Sequence, residues 1–111
     1  MKVYHPTDRR RSEELSFMVD SGAYYSFVPA PVLEKLGIEP DDTRKFLLAN
    51  GEMIERKIGT ARFEYGEAFG GAPVVFGEAG DENLLGTTTL ESLGLMLNPV
   101  KRKLYQVTPQ I

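Results

Sequence analysis

No cysteine occurs anywhere in the chain, which removes disulfides, thiolate metal sites and a cysteine nucleophile together. His5 is the only histidine, so a conventional histidine-rich metal site is implausible, and no metal or other cofactor is expected. No stretch approaches the roughly eighteen uninterrupted apolar residues of a membrane helix. The opening Met1-Lys2-Val3-Tyr4-His5-Pro6 also lacks the apolar run of a secretory signal, so the expectation is a cytoplasmic protein without membrane association. Nor is positive charge in excess: a formal net charge of −3 argues against a nucleic-acid surface. The local run Arg9-Arg10-Arg11 is flanked by Asp8, Glu13 and Glu14, and reads as a solvated turn in preference to a phosphate-binding patch. Carboxylate chemistry is what this inventory leaves easy to build.

The 111 residues suit one domain, 1–111, and an apolar fraction of 41% is enough for it to enclose a core. Gly, Pro and Asn fall at short intervals between segments rich in β-branched and aromatic residues, the pattern of a mostly β fold. Strands are expected at Lys2 to His5, Leu15 to Val19, Lys45 to Ala49, Met53 to Ile58, Thr60 to Tyr65, Pro73 to Phe76 and Leu104 to Val107. Two short helices interrupt them. The first follows Pro29-Ala30-Pro31 and ends at Gly37; the second opens with a Thr-x-x-Glu capping box, Thr88 to Glu91, and stops at Gly94. Their endings, Leu33-Glu34-Lys35-Leu36-Gly37-Ile38 and Leu90-Glu91-Ser92-Leu93-Gly94-Leu95, are alike, which fits either shared helix grammar or an internal duplication. Asn50-Gly51 between two strand-like runs predicts a projecting hairpin with a type I′ turn. Asn98 to Lys103 reads as an exposed basic turn.

The informative stretch is Phe17-Met18-Val19-Asp20-Ser21-Gly22-Ala23-Tyr24-Tyr25-Ser26-Phe27-Val28-Pro29, in which one apolar strand delivers an acid, a hydroxyl and a glycine into a tight turn and a second strand resumes. A carboxylate at the end of a buried strand is costly unless hydrogen-bonded or sharing a proton, so the position invites a functional explanation. Ser21 can hold the turn, Gly22 lets backbone or substrate approach the acid, and Ser26 is a further donor close by. A serine triad of Ser21, His5 and Asp20 is disfavoured because adjacent Asp and Ser do not readily take the two roles.

Asp20-Ser21-Gly22-Ala23 resembles the Asp-Ser/Thr-Gly-Ala signature of the retropepsin-like aspartic peptidases. Ala49-Asn50-Gly51-Glu52-Met53 falls where that family has its flap, Ile58-Gly59 follows, and Asn83-Leu84-Leu85-Gly86 is similar to the element before its C-terminal helix. Leu95-Met96-Leu97-Asn98-Pro99 with Leu104 is similar to the closing turn and strand, so the resemblance spans roughly residues 15 to 107. Tyr24-Tyr25 departs from the polar or acidic pair often found in viral members, and the flap is less glycine-rich.

The resemblance implies a small acid-protease β-barrel or closed sheet with one or two short helices, forming one protomer of a twofold homodimer. It implies an aspartic endopeptidase with Asp20, Ser21 and Gly22 as catalytic residues. Substrate, a peptide in extended conformation, would be held by Ala23, Tyr24, Leu48, Ala49, Asn50, Gly51, Glu52, Met53, Leu85 and Gly86. None of Asp8, Asp41, Asp42 or Asp81 is followed by Ser/Thr-Gly, so the second carboxylate of the pair must come from a second copy. The competing expectation is a dimeric peptide-binding or assembly module on the same scaffold without efficient turnover.

Overall fold

The computed structural model describes residues 1–108. The chain runs β1 (Lys2–His5), β2 (Asp8–Glu14), β3 (Met18–Val19), β4 (Ser26–Pro29), α1 (Ala30–Lys35), β5 (Asp42–Leu47), β6 (Met53–Tyr65), β7 (Ala68–Gly77), β8 (Leu84–Leu85), α2 (Thr87–Leu93), β9 (Leu95–Asn98) and β10 (Lys103–Gln106). It is mostly β, as expected, but the sheet is not closed into a barrel. Its eight strands follow the open path β2-β1-β6-β7-β4-β8-β3, with β5 pairing β6 and a separate β9-β10 hairpin.

The two strands expected on either side of Gly59 are one 13-residue strand, β6. A Cβ at residue 59 would lie 2.9 Å from the Glu39 carbonyl oxygen and 3.1 Å from the Phe76 ring. Gly59 therefore keeps the strand continuous where other parts of the chain press on it. From Ile58 to Tyr65 this strand pairs with β7, while among the described residues Met53 to Lys57 pair only with β5. Residues 42–57 thus form a two-stranded ribbon standing off the body of the sheet.

Asp8–Glu14 is an edge strand, not the solvated turn suggested by its charge. Pairing with β1 (Lys2↔Glu14, Val3↔Glu13, Tyr4↔Ser12) satisfies the inner side of its backbone, and Arg9 reaches Glu64 of β6 at 2.6 Å. Dense charge is compatible with an edge strand because such side chains discourage pairing with another chain. Conversely, only Met18–Val19 of the expected Leu15–Val19 strand is paired as β3.

α1 ends as its sequence indicates. Gly37 is left-handed (φ 80°), its amide donates to Glu34, and Ile38 donates to Leu33, the two hydrogen bonds of a Schellman motif. α2 departs from expectation at its start. Gly86 is the N-cap, and among the described residues no side chain caps the helix and the buried Thr88 hydroxyl has no partner. The capping box does not form because carbonyls of the 20–25 loop occupy that end.

The hairpin turn also differs. Gly51 is left-handed (φ 88°) but Asn50 is not, which rules out type I′. The Gly51 amide donates to Leu48 (3.0 Å), the Leu48 amide to Glu52 (2.8 Å), and Asn50 Oδ1 accepts the Glu52 amide (2.9 Å). This is the three-residue hairpin loop that ends in a left-handed glycine bulge. The core, built from Val28, Leu33, Phe63, Val74, Leu85 and Leu90 among others, lies between the sheet and the helices.

Candidate active site

β3 ends at Val19, beside Leu85 of the parallel strand β8, and the chain turns away through residues 20–25. The Asp20 amide donates to the Leu85 carbonyl (3.1 Å) and the Ala23 amide to the Asp20 carbonyl (3.1 Å), which closes the turn. The Gly22 amide donates to Asp20 Oδ1 (2.9 Å), fixing one carboxylate oxygen and leaving the other without a partner among the described residues. A Cβ on residue 22 would sit 3.2 Å from that same oxygen, so glycine keeps the acid uncrowded. Asp20, Ser21 and Gly22 are all exposed in the single chain. The acid is therefore not at the end of a buried strand, as its apolar flanks suggested. β3 is two residues long and lies at the open edge of the sheet, with Met18 55% exposed.

The loop is pinned from behind. Ser26 and Thr89 are the only fully buried polar residues among those described. Ser26 Oγ accepts the Gly86 amide (2.9 Å) and is hydrogen-bonded to Thr89 Oγ1 (2.5 Å). The first amides of α2 complete the attachment: Thr87 donates to the Ala23 carbonyl (2.9 Å) and Thr88 to the Tyr24 carbonyl (3.1 Å). Buried donors and acceptors left unpaired are expensive, so this set holds the loop in one conformation. Ser26, expected as a further donor close to the acid, instead spends its hydroxyl on Gly86 and Thr89 behind the loop. Thr89 was hidden among three successive threonines that resembled an ordinary helix start.

In front of the loop lies an open cleft of about 920 Å³. It brings together Asp20, Gly22, Ala23 and Tyr24 with Leu48 and Ala49 of the ribbon. The other expected residues fall elsewhere. Ser21, Asn50, Gly51, Glu52, Met53 and Gly86 do not line it. Leu85, expected at a subsite, is fully buried in the core, and the adjacent Leu84 faces the cleft instead. Successive strand residues point to opposite faces, so a one-residue difference moves a side chain from cleft to core. Tyr25, Phe27, Phe46 and Ile54 supply further apolar wall. His5 joins none of this; its Nδ1 accepts the Thr7 amide at 3.1 Å.

A profile of the aspartyl protease family, within the retropepsin-like clan, matches residues 11–89. The chain belongs to the aspartyl protease family. A search of curated proteins finds no match. The family match takes in the Asp20 loop, the 42–57 ribbon, β8 and the threonines of α2, so every part of the cleft described above falls within the region that defines this aspartyl protease domain. The β9-β10 hairpin lies beyond it.

One contact of this aspartyl protease domain joins side chains 25 residues apart, beyond the reach of local sequence pattern. Arg56, on the ribbon strand β6, holds Asp81 through two hydrogen bonds of 2.8 and 3.2 Å, and Asp81 Oδ2 also accepts the Glu78 amide (2.8 Å). The side chains are only 15% and 19% exposed, and the bridge fastens the base of the ribbon to the 78–82 loop on the cleft's far wall. The Arg56 hydrogen bonds hold the Asp81 carboxyl below its usual pKa of 3.8, outweighing the opposing effect of burial. A depressed folded-state pKa contributes stability that is complete above the unfolded value and is lost as pH falls through the folded one. Urea midpoints of the wild type should therefore decline below about pH 4. Asp81→Asn, which leaves Arg56 only Glu78 at 3.6 Å and the Glu55 carbonyl at 3.0 Å, should cost about 1–3 kcal/mol at pH 6 and less at pH 3. An equal loss at both pH values would contradict this assignment.

Proposed function

We propose that the chain is an aspartic endopeptidase that acts as a homodimer, with Asp20 from each of two copies forming the catalytic pair. The observation that carries this reading is the placement of Asp20. It stands exposed on a hydrogen-bonded turn at the open edge of the sheet, beside a cleft with apolar walls. A second copy can approach that edge without breaking any strand pairing, and a twofold axis is the simplest way to bring identical carboxylates face to face.

Two carboxylates a few ångströms apart cannot both ionise freely, so in this reading the pair shares one proton. The ionised member takes a proton from water as the water oxygen bonds to the scissile carbonyl carbon, and the protonated member gives its proton to the carbonyl oxygen. Transfer of a proton to the amide nitrogen then releases the amine as the C–N bond breaks. In this reading Ser21 hydrogen-bonds across the axis, and Gly22 and Ala23 leave room for substrate backbone. The ribbon, with Leu48 and Ala49 facing the cleft and Asn50 to Met53 at its tip, closes over an extended peptide and excludes water. Apolar walls at Tyr24, Phe27, Phe46, Ile54 and Leu84 favour apolar residues near the cleaved bond.

A dyad assembled from two copies makes activity depend on concentration. Cleavage per mole of protein should fall on dilution through the dimerisation range. Mixing wild type with an equal amount of Asp20→Asn should lower activity per total chain to about one quarter, as random pairing leaves that share of dimers with both carboxylates. Activity that simply follows the amount of wild-type chain would sink the shared dyad. Two dimeric proteins that bind peptides and cut none would leave a peptide-binding module.

A further inference from the structure

Tyr25 is held at its two ends by different parts of the fold. Its backbone lies so close to Gly86 that a Cβ there would meet the Tyr25 carbonyl carbon and oxygen at 2.6 Å, and the adjacent Tyr24 carbonyl is bound by the Thr88 amide. Its ring instead reaches the ribbon. It packs edge to face on Phe46 of β5, with centroids 5.7 Å apart and planes at 84°. Its hydroxyl accepts a 2.9 Å hydrogen bond from Arg44 Nη1, and the Arg44 guanidinium carbon lies 6.0 Å from the ring centroid. Arg44 Nε is also 3.8 Å from Asp42. Tyr24 covers another side of the ring at 4.9 Å, and Phe46 continues the ladder to Phe27 at 6.0 Å.

Among the described residues β5 pairs with no strand other than β6, so its remaining attachment to the body runs through these Tyr25 and Phe46 contacts. The Arg56–Asp81 bridge fastens only the inner strand of the ribbon. The outer strand is thus connected, through one side chain, to the loop that carries Asp20.

We propose that Tyr25 is a positioning residue that couples the 42–57 ribbon to the 20–25 loop. When the ribbon settles over a peptide, Phe46 and Arg44 carry the Tyr25 ring with them, and the loop's own hydrogen bonds, Gly22 to Asp20 Oδ1 and Ala23 to the Asp20 carbonyl, tighten. The coupling is reciprocal, so an ordered loop also favours the settled ribbon. A tyrosine that merely fills space would lend stability without this directional link.

The test is hydrogen exchange of the Gly22 and Ala23 amides in the substrate-free protein, measured by NMR, with Val74 of the core strand β7 as the reference. Tyr25→Phe and Arg44→Met delete the same hydrogen bond from opposite ends. Each should raise loop exchange about fivefold, and the double variant should be no worse than either single one. Tyr25→Leu, which also removes the ring contacts, should raise it at least about tenfold while Val74 keeps its protection. Unchanged loop exchange, additive effects of the pair, or Val74 rising in step would each overturn the coupling.

A kinetic arm rests on the peptidase reading: Tyr25→Phe should lower kcat with KM nearly unchanged, because it removes only the hydroxyl bonded to Arg44 and keeps the ring that lines the cleft. A rise in KM alone would count against the coupling. If the wild type cleaves nothing, that failure falls on the peptidase reading, and the exchange experiment still decides the coupling.

Discussion

Asp20→Asn should abolish peptide cleavage, lowering the rate by at least about a thousandfold, because one substitution removes both carboxylates of the proposed dyad. The change is nearly isosteric, and the amide oxygen can still accept the Gly22 N–H that Asp20 Oδ1 accepts at 2.9 Å. Asp20 is exposed and forms no ion pair among the described residues, so the fold does not depend on its charge. Stability should stay within about 0.5 kcal/mol of wild type. Mass spectrometry of a denatured-proteome peptide library, digested from pH 4 to 7 with each protein, reads the outcome directly. Cuts that appear with wild type and disappear with Asp20→Asn at an unchanged urea midpoint assign the chemistry to this carboxylate. Cuts that persist in the variant would place the active site elsewhere.

Gly86→Ala should be the most damaging small substitution near the site. The backbone at Gly86 (φ −94°, ψ 172°) suits alanine, so the penalty is steric and not conformational. The added methyl would meet Tyr25 carbonyl atoms at 2.6 Å and the Tyr24 carbonyl carbon at 2.9 Å. These are backbone atoms and cannot swing aside as a side chain would. Relief requires moving either the 20–25 loop or the start of α2, which breaks the bonds joining Ser26, Thr87 and Thr88 to their partners. A loss of about 1–3 kcal/mol is expected from forced overpacking alone. Cleavage should fall more than about tenfold even at temperatures where the variant is folded, because displacements near 1 Å are costly to catalysis. Wild-type stability with wild-type activity in Gly86→Ala would show that the loop does not need this contact.

The pairing of these two variants separates chemistry from support. One removes the reacting group and spares the scaffold; the other keeps the reacting group and disturbs what holds it. Asp81→Asn acts further out, on the base of the ribbon, and its signature is pH-dependent stability.

The sequence by itself determined the β-rich character, both helices, the glycine that ends α1, the projecting hairpin and the tight turn at Asp20-Ser21-Gly22 on which the proposed chemistry rests. Each of these rests on neighbours within a few residues: spacing of apolar side chains, Pro and Gly at helix ends, and an acid followed by Ser-Gly. Tertiary structure decided the rest, because the deciding partners are distant in the chain. Asp8–Glu14 became a strand through pairing with β1 and an ion pair to Glu64, which local charge could not signal. The capping box at Thr88 failed because Ala23 and Tyr24, more than sixty residues earlier, supply the carbonyls at that helix end. Leu84, not Leu85, faces the cleft through the register of a two-residue strand with Met18 and Val19. The buried Ser26–Thr89 pair and the Arg56–Asp81 bridge are likewise long-range contacts. Local pattern names the acid; only the folded chain supplies the groups that hold its loop and form the cleft walls beside it.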